Sequence, residues 1–230
     1  MRRFFGALVV GLAAVAVAQA HALYIVAEGG DPSKTMIVFS DELATDAAIK
    51  EATWKKVAGI KLKARDGAGK DTDVVATQEK DHLKAPAPAG TKVVYGVVDY
   101  GTYAKADAKT KFIRFYPKAI LGAIPADGAV LGESCGLEIV PKVEAGKVRF
   151  QVLAAGKPVS GAKVSMILPE KKADKDSASA VTDEKGWTEA FASVGRYGLT
   201  VRHEETKGGE ANGVKYELIS HTATLVVDVK

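Results

Sequence analysis

The chain has 230 residues, of which 47% are hydrophobic and 26% are charged, and its formal net charge is +4. This small, evenly spread charge excludes the strongly basic surface that proteins binding nucleic acid or anionic membranes carry. The single cysteine, Cys135, excludes an intramolecular disulfide, so the hydrophobic core has to stabilise the fold.

The first 20 residues have the pattern of a secretory signal peptide. Met1-Arg2-Arg3 is positively charged, 4–17 is apolar, and Ala18-Gln19-Ala20 has the small-x-small form that signal peptidase accepts. The apolar stretch is shorter than the roughly 20 residues of a membrane-spanning helix, and no later stretch is long enough to span a bilayer. We therefore expect an exported protein, either secreted or located in the periplasm of a Gram-negative bacterium.

The cleavage position decides which residue begins the mature chain. Cleavage after Ala20 makes His21 the first residue and lowers the net charge from +4 to +2, because Arg2 and Arg3 are lost. Cleavage after Ala22 fits the same small-x-small rule and stays an alternative, in which the histidine is removed.

Short apolar runs separated by turn-forming residues predict β-strands in the first part of the mature chain. The segment 41–56 fits either a short helix or an irregular loop, and 120–134 is left unassigned. The predicted strands lie at 23–26, 35–39, 60–65, 73–77, 92–99, 111–116 and 137–141.

The residue pattern of the sequence changes at about 142–146, and this change predicts a domain boundary. Beyond it, a charged loop is expected at 169–176, and strands are expected at 147–153, 164–168, 197–204 and 217–229. Strands at this spacing predict an all-β protein of two consecutive immunoglobulin- or transthyretin-like β-sandwich domains, 21–141 and 145–230, after the signal peptide 1–20.

Two short motifs stand out in the second domain. Gly156-Lys157-Pro158-Val159-Ser160-Gly161-Ala162-Lys163-Val164 leads into a predicted strand, and Thr182-Asp183-Glu184-Lys185-Gly186 forms a tight turn. Together they resemble the transthyretin-like and carboxypeptidase-regulatory-like sandwiches.

A longer set of motifs covers nearly the whole mature chain. They are His21-Ala22-Leu23-Tyr24, Tyr95-Gly96-Val97-Val98-Asp99-Tyr100-Gly101, Phe115-Tyr116-Pro117-Lys118-Ala119 and Leu199-Thr200-Val201-Arg202-His203-Glu204-Glu205. They resemble an exported family of unknown function that is associated with nickel and cobalt uptake. The resemblance implies a periplasmic metal-linked protein whose partner is a membrane transporter or a periplasmic metal acceptor.

Three of the four histidines are the predicted metal ligands. His203 and His221 extend apolar faces of the last two long strands, and the turn between these strands sets the two side chains nearly opposite each other. A mature chain beginning at His21 would add an imidazole and a free amine. These nitrogen donors suit nickel, cobalt, copper or zinc, and copper held by an amine and imidazoles is called a histidine brace. The alternative for the His203 and His221 pair is that both are partly buried, hydrogen-bonded residues.

Other side chains are weaker candidates. Glu204, Glu205 and Glu217 are expected to accept hydrogen bonds from the imidazoles, although solvated strand-end charges are the alternative. His82 and Cys135 are further candidate ligands, with a surface histidine and a packed thiol as their alternatives.

The expected function is therefore metal binding without catalysis, linked to the uptake or homeostasis of the ion. No nucleophile motif, phosphate loop or paired-carboxylate motif is present. Two alternatives remain open. One is a copper-dependent oxidative enzyme using the same ligands, and the other is an adhesion or carbohydrate-binding sandwich in which the histidines are incidental.

Overall fold

The computed structural model describes residues 21–106, 108–125, 127–168, 178–192 and 194–230. The predicted signal peptide, 1–20, and the predicted charged loop, 169–176, lie outside the described residues. Within these ranges, no helix is long and apolar enough to cross a bilayer.

Strands dominate the described chain, which confirms the predicted all-β sandwich class. Before the predicted boundary they are β1 (Ala22–Ala27), β2 (Thr35–Ser40), β3 (Lys61–Asp66), β4 (Asp71–Val74), β5 (Thr77–Gln78), β6 (Leu83–Lys84), β7 (Thr91–Tyr103), β8 (Lys111–Ile120) and β9 (Glu138–Glu144). After it they are β10 (Lys147–Ala154), β11 (Lys157–Pro158), β12 (Lys163–Ile167), β13 (Ala178–Val181), β14 (Gly195–Glu205), β15 (Gly209–Ala211), β16 (Val214–Tyr216) and β17 (Leu218–Val229).

Among the described residues, helical structure is confined to short segments. The helix α1 (Glu51–Val57) lies at the end of the segment that fitted either a helix or a loop, and an irregular stretch precedes it. Single 3-10 turns are formed by Glu28–Gly30, Pro32–Lys34 and Gly132–Ser134.

An eight-stranded sheet, called here the large sheet, forms the middle layer. Its strand order is β13-β12-β14-β17-β8-β7-β3-β4. The strand β17 pairs antiparallel with β14 and parallel with β8. Both faces of β17 are covered, and its residues are buried almost without interruption from Leu218 to Val229.

Two smaller sheets cover the two faces of the large sheet. The N-terminal sheet, β1-β2-β6-β5, encloses the first core, which includes Leu23, Trp54 and Phe115. The sheet β11-β10-β9 encloses the second core, which includes Phe150 and Leu225. Along β7 and β8 the side chains alternate between the two cores, with Val94 and Phe115 in the first and Val93 and Tyr116 in the second.

Side-chain hydrogen bonds dock β1 onto the large sheet. The Tyr24 hydroxyl lies 2.6 Å from the Thr200 hydroxyl, and the Thr224 hydroxyl donates to the Leu23 carbonyl at 2.6 Å. The first strand is therefore stacked over β14 and β17 and is not paired beside them.

The large sheet is continuous across the predicted domain boundary. It takes β3, β4, β7 and β8 from before the boundary and β12, β13, β14 and β17 from after it. The second core likewise includes Val93, Tyr116 and Ile120 from the first part of the chain. The division into domains 21–141 and 145–230 stays a prediction. The parallel pairing of β8 with β17 joins strands from the two sides of the predicted boundary.

A buried ion pair joins β8 to β9. Lys118 Nζ lies 2.8 Å from Glu138 Oε2, and the two residues are each 2% exposed. Glu138 also accepts hydrogen bonds from the backbone N–H groups of Leu131 and Gly132, at 3.1 and 2.9 Å. The carboxylate therefore anchors the loop before β9.

Candidate functional site

The last long hairpin brings two of the predicted ligands together. The pairing of β14 with β17 places His203 directly opposite His221, as the turn position predicted. Side chains at every second position of a strand lie on the same face. His203 therefore shares a face with Leu199, and His221 shares a face with Leu225, and both leucines lie in the second core. The pair lies at the end of that core.

The imidazole of His221 already has a partner on each nitrogen. Nδ1 lies 3.0 Å from the Tyr116 hydroxyl, and Nε2 lies 3.4 Å from Glu205 Oε2. The Tyr116 and His221 rings are stacked with centroids 5.7 Å apart. Burial lowers the pKa of His221, and the neighbouring Glu205 opposes this shift. The ring is therefore neutral at neutral pH.

His21 lies just before β1, where its ring is half-exposed. The β1–β2 register pairs Ala22 with Ser40, so His21 continues that register opposite Asp41. Nδ1 of His21 lies 3.7 Å from Asp41 Oδ1, and Nε2 lies 3.2 Å from Asp46 Oδ2. The ring stacks on Phe39 at a centroid distance of 6.0 Å.

Asp46 is held in its ionised form. Its pKa is lowered first by the hydrogen bond from the Ala48 N–H, at 2.8 Å, and then by the hydrogen bond with His21. In the neutral form of the ring, a carboxylate on Nε2 favours the tautomer that carries its proton on Nε2, and the lone pair of Nδ1 then faces Asp41.

The structure places the three predicted histidine ligands in two different surroundings, and their role as ligands stays a prediction. Phe39, which stacks on His21, contacts the edge of Phe115 in the first core. His221 contacts Tyr116, which lies in the second core. Because β1 is stacked on the large sheet, the backbone of that sheet separates His21 from the pair of His203 and His221.

The predicted glutamate partners have different surroundings. Glu205 contacts His221, as expected for an acceptor that orients an imidazole. Glu204 forms an ion pair with Lys111. Glu217 is exposed, and its backbone N–H donates to a carbonyl at 2.9 Å.

The two weaker ligand candidates are each engaged locally. His82 Nδ1 lies 2.9 Å from the carboxylate of the adjacent Asp81. Cys135 is buried, and its thiol donates to the Leu137 carbonyl at 3.1 Å. Burial raises the pKa of Cys135 to about 11, so the thiol stays protonated and packs as a small apolar group.

Side chains alone do not form a ready metal centre in the part of the chain that the structure describes. Within it, no group of three or more His, Cys, Asp or Glu side chains is placed to hold an ion. Around His21, two such donors are available, Nδ1 of the ring and the Asp41 carboxylate.

Sequence reasoning missed Asp41 and Asp46. The signal for Asp41 was present, because a hairpin centred on the turn 29–32 places residue 41 opposite residue 21. Asp46 lies in an irregular stretch whose path depends on the packing of α1, so no local pattern points to it.

The fold and its residues define an all-β sandwich whose first strand directly follows a histidine. Residues 17–205 match the family described as a domain of unknown function, DUF4198, and the chain belongs to that family. No curated protein matches the chain significantly. The family match ends at Glu205, the last residue of β14, although β17 in the middle of the large sheet follows it.

Proposed function

We propose that the processed protein binds a transition-metal ion at His21 and serves the uptake or homeostasis of that ion in the cell envelope. The observation that carries the proposal is the pair of carboxylates around one imidazole, with Asp46 at 3.2 Å from Nε2 and Asp41 at 3.7 Å from Nδ1. Cleavage after Ala20 would add the α-amine of the same residue.

The spacing of the donors supports an ion between Nδ1 and Asp41. Ligand atoms about 2.0–2.2 Å from one ion lie between about 2.9 and 4.2 Å apart, depending on the angle at the metal. The observed 3.7 Å falls in this range. Two partners that both carry lone pairs gain from a cation between them, and their site is half open to solvent.

Asp46 would orient the ligand without binding the ion. Metal-ligating histidines commonly donate their other ring N–H to a carboxylate, which fixes the tautomer and raises the basicity of the ligating nitrogen. The hydrogen bond from His21 Nε2 to Asp46 has this arrangement.

An amine, an imidazole and a carboxylate suit nickel, cobalt, copper and zinc. The resemblance to a family associated with nickel and cobalt uptake favours the first two ions, and copper stays the alternative on intrinsic affinity. In this proposal the partner is a membrane transporter or a periplasmic acceptor that takes over the ion.

The pair of His203 and His221 is the alternative location for the ion. A metal there would have to replace Tyr116 or Glu205 as a partner of His221, and both contacts are made within the fold. This cost is absent at His21 Nδ1, so the proposal places the ion there.

The test measures metal binding to the exported, processed protein, whose intact mass first establishes whether His21 is its first residue. Titration calorimetry with Ni²⁺, Co²⁺ and Cu²⁺ should give one site per chain, and His21→Ala or Asp41→Asn should weaken binding at least tenfold. His82→Ala is the matched control, because this histidine also contacts an aspartate. Full metal affinity in His21→Ala together with a loss of affinity in His221→Ala would assign the metal site to the pair of His203 and His221 instead.

One observation favours the copper-dependent oxidative enzyme as a second candidate function. His21, Phe39 and Tyr100 form a row of half-buried rings, with Phe39 and Tyr100 parallel within 1° and 5.9 Å apart. Such a row beside a metal could hold a flat substrate. Peroxide-dependent turnover by the copper-loaded protein, lost in His21→Ala, would support this candidate over a purely binding role.

A further inference from the structure

A cavity of about 370 Å³ opens beside α1, at a place that the proposed metal site does not use. It lies where the turn after α1 meets the strands β3, β7 and β8. A volume in this range is typical of pockets that hold small molecules. Its lining residues are Lys56, Gly59, Lys61, Val97, Val98, Asp99 and Arg114.

The lining is strongly unbalanced in charge. It contains the three cations Lys56, Lys61 and Arg114 but only one carboxylate, that of Asp99. Asp99 forms an ion pair with Arg114, which leaves the two lysines uncompensated. Neither lysine has an ion-pair partner among the residues that the structure describes. Cations that converge on one cavity repel each other, and a bound anion would relieve this repulsion.

The cationic groups are held by different means. Arg114 donates to Asp99 through its Nε, and its guanidinium also hydrogen-bonds the Tyr116 hydroxyl. A guanidinium carries five N–H donors, so this arginine still has donors for an oxygen-bearing anion. Lys56 Nζ lies 4.7 Å from the centre of the Tyr100 ring, which positions the ammonium group by a cation–π contact. Val97 and Val98 supply an apolar wall.

We propose that this cavity binds a small dianion, either a dicarboxylate or a phosphate ester. The two uncompensated lysines match two negative charges, and the arginine adds a third positive charge with its remaining N–H donors. The site is separate from the donors around His21, and this inference does not depend on metal binding.

Binding of succinate and of inorganic phosphate to the processed protein tests the proposal by titration calorimetry. We expect at least one of the two to bind with a Kd below about 10 mM. Binding of succinate would indicate a dicarboxylate as the ligand, and binding of phosphate would indicate a phosphate ester. The double variant Lys56→Ala/Lys61→Ala should weaken that binding at least tenfold. Asp99→Asn should strengthen it, because it removes the only carboxylate of the lining.

The matched control is Lys147→Ala/Lys163→Ala, which removes the same charge from exposed positions outside the cavity. Its affinity should stay within twofold of the unmodified protein. The proposal would be overturned by an equal loss in both double variants, or by the failure of both anions to bind saturably. Circular dichroism of each variant shows whether the fold is retained, and Asp99→Asn gives an independent readout if a lysine variant unfolds.

Discussion

The surroundings of each imidazole decide which of its nitrogens is available to bind a metal ion. His21 has a carboxylate on Nε2 and a second carboxylate near Nδ1, and its ring is half open to solvent. His221 has both nitrogens engaged, and only 8% of the residue is exposed. The same residue type is therefore a candidate ligand on one face of the large sheet and a buried hydrogen-bonding group on the other.

The depressed pKa of His221 predicts a specific pH dependence of stability. Burial disfavours the imidazolium in the folded protein, so below about pH 6.5 the unfolded chain binds more protons than the folded one. The free energy of unfolding should therefore decrease as the pH falls from about 6.5 toward the lower pKa of His221 in the folded protein. Urea unfolding above and below pH 6.5 should show the loss in the unmodified protein and a smaller loss in His221→Asn.

Tyr116→Phe is the control for this prediction. It removes the hydroxyl at Nδ1 but keeps the ring that covers His221, and burial is the first cause of the shift. Glu205, which favours the charged imidazole of His221, and Arg114 and His203, which disfavour it, also remain in place. The pH dependence should persist in this variant, and its disappearance would assign the effect to the hydroxyl.

The buried pair of Lys118 and Glu138 predicts a large stability difference from an exposed pair. Lys118→Met leaves a carboxylate buried without its cation, which should cost about 3–5 kcal/mol of unfolding free energy. Lys142 and Glu144 form a pair of which each side chain is 51% exposed, so Lys142→Met should cost at most about 1 kcal/mol. Urea denaturation measures both, and similar costs would contradict the prediction.

At the scale of elements, the alternation of apolar and polar residues along a strand predicts which residues lie on each face. It does not predict which strands pair with it. The strands at 197–204 and 217–229 were predicted within two residues of β14 and β17, and so was their antiparallel pairing. The parallel pairing of β17 with β8 was not predicted, because these strands are far apart in sequence and no turn links them.

The connection between β8 and β9 depends on close backbone packing that a sequence pattern does not reveal. A Cβ atom on Gly128 would lie 2.4 Å from the Pro141 carbonyl oxygen, and the residue has φ +67°. Gly128→Ala should therefore combine backbone strain with a clash, and the clash should add about 1–3 kcal/mol to its cost.

Gly122→Ala separates these two contributions. Gly122 also has a positive φ, +85°, but an added Cβ would meet no atom within 4 Å. Thermal or urea unfolding should show a clearly smaller cost for Gly122→Ala than for Gly128→Ala. Equal costs would mean that strain alone matters and that the loop moves away from Pro141 freely.

At the scale of the whole molecule, the large sheet predicts that the two parts of the chain unfold together. Its middle strands, β8 and β17, come from opposite sides of the predicted domain boundary. Separating the parts would expose an edge of each strand and open the second core. We therefore expect one cooperative unfolding transition.

The two tryptophans report on the two parts of the chain. Trp54 is buried in the first core, and Trp187 lies in the second part, where Arg149 stacks on it at 5.4 Å. Urea unfolding followed by fluorescence in Trp54→Phe and in Trp187→Phe should give the same midpoint as circular dichroism gives for each variant. Fluorescence and circular dichroism midpoints that disagree would support two independent domains.

The sequence by itself determined the class of the fold, most strand positions and the opposition of His203 and His221, because these depend on local periodicity and on one turn. It also pointed to His21 through the signal-peptide pattern. Only the tertiary structure decided that β1 stacks on the large sheet, that His21 has Asp41 and Asp46 as neighbours, and that three cations meet beside α1. These features depend on how layers pack, and packing is set by contacts between residues far apart in the chain.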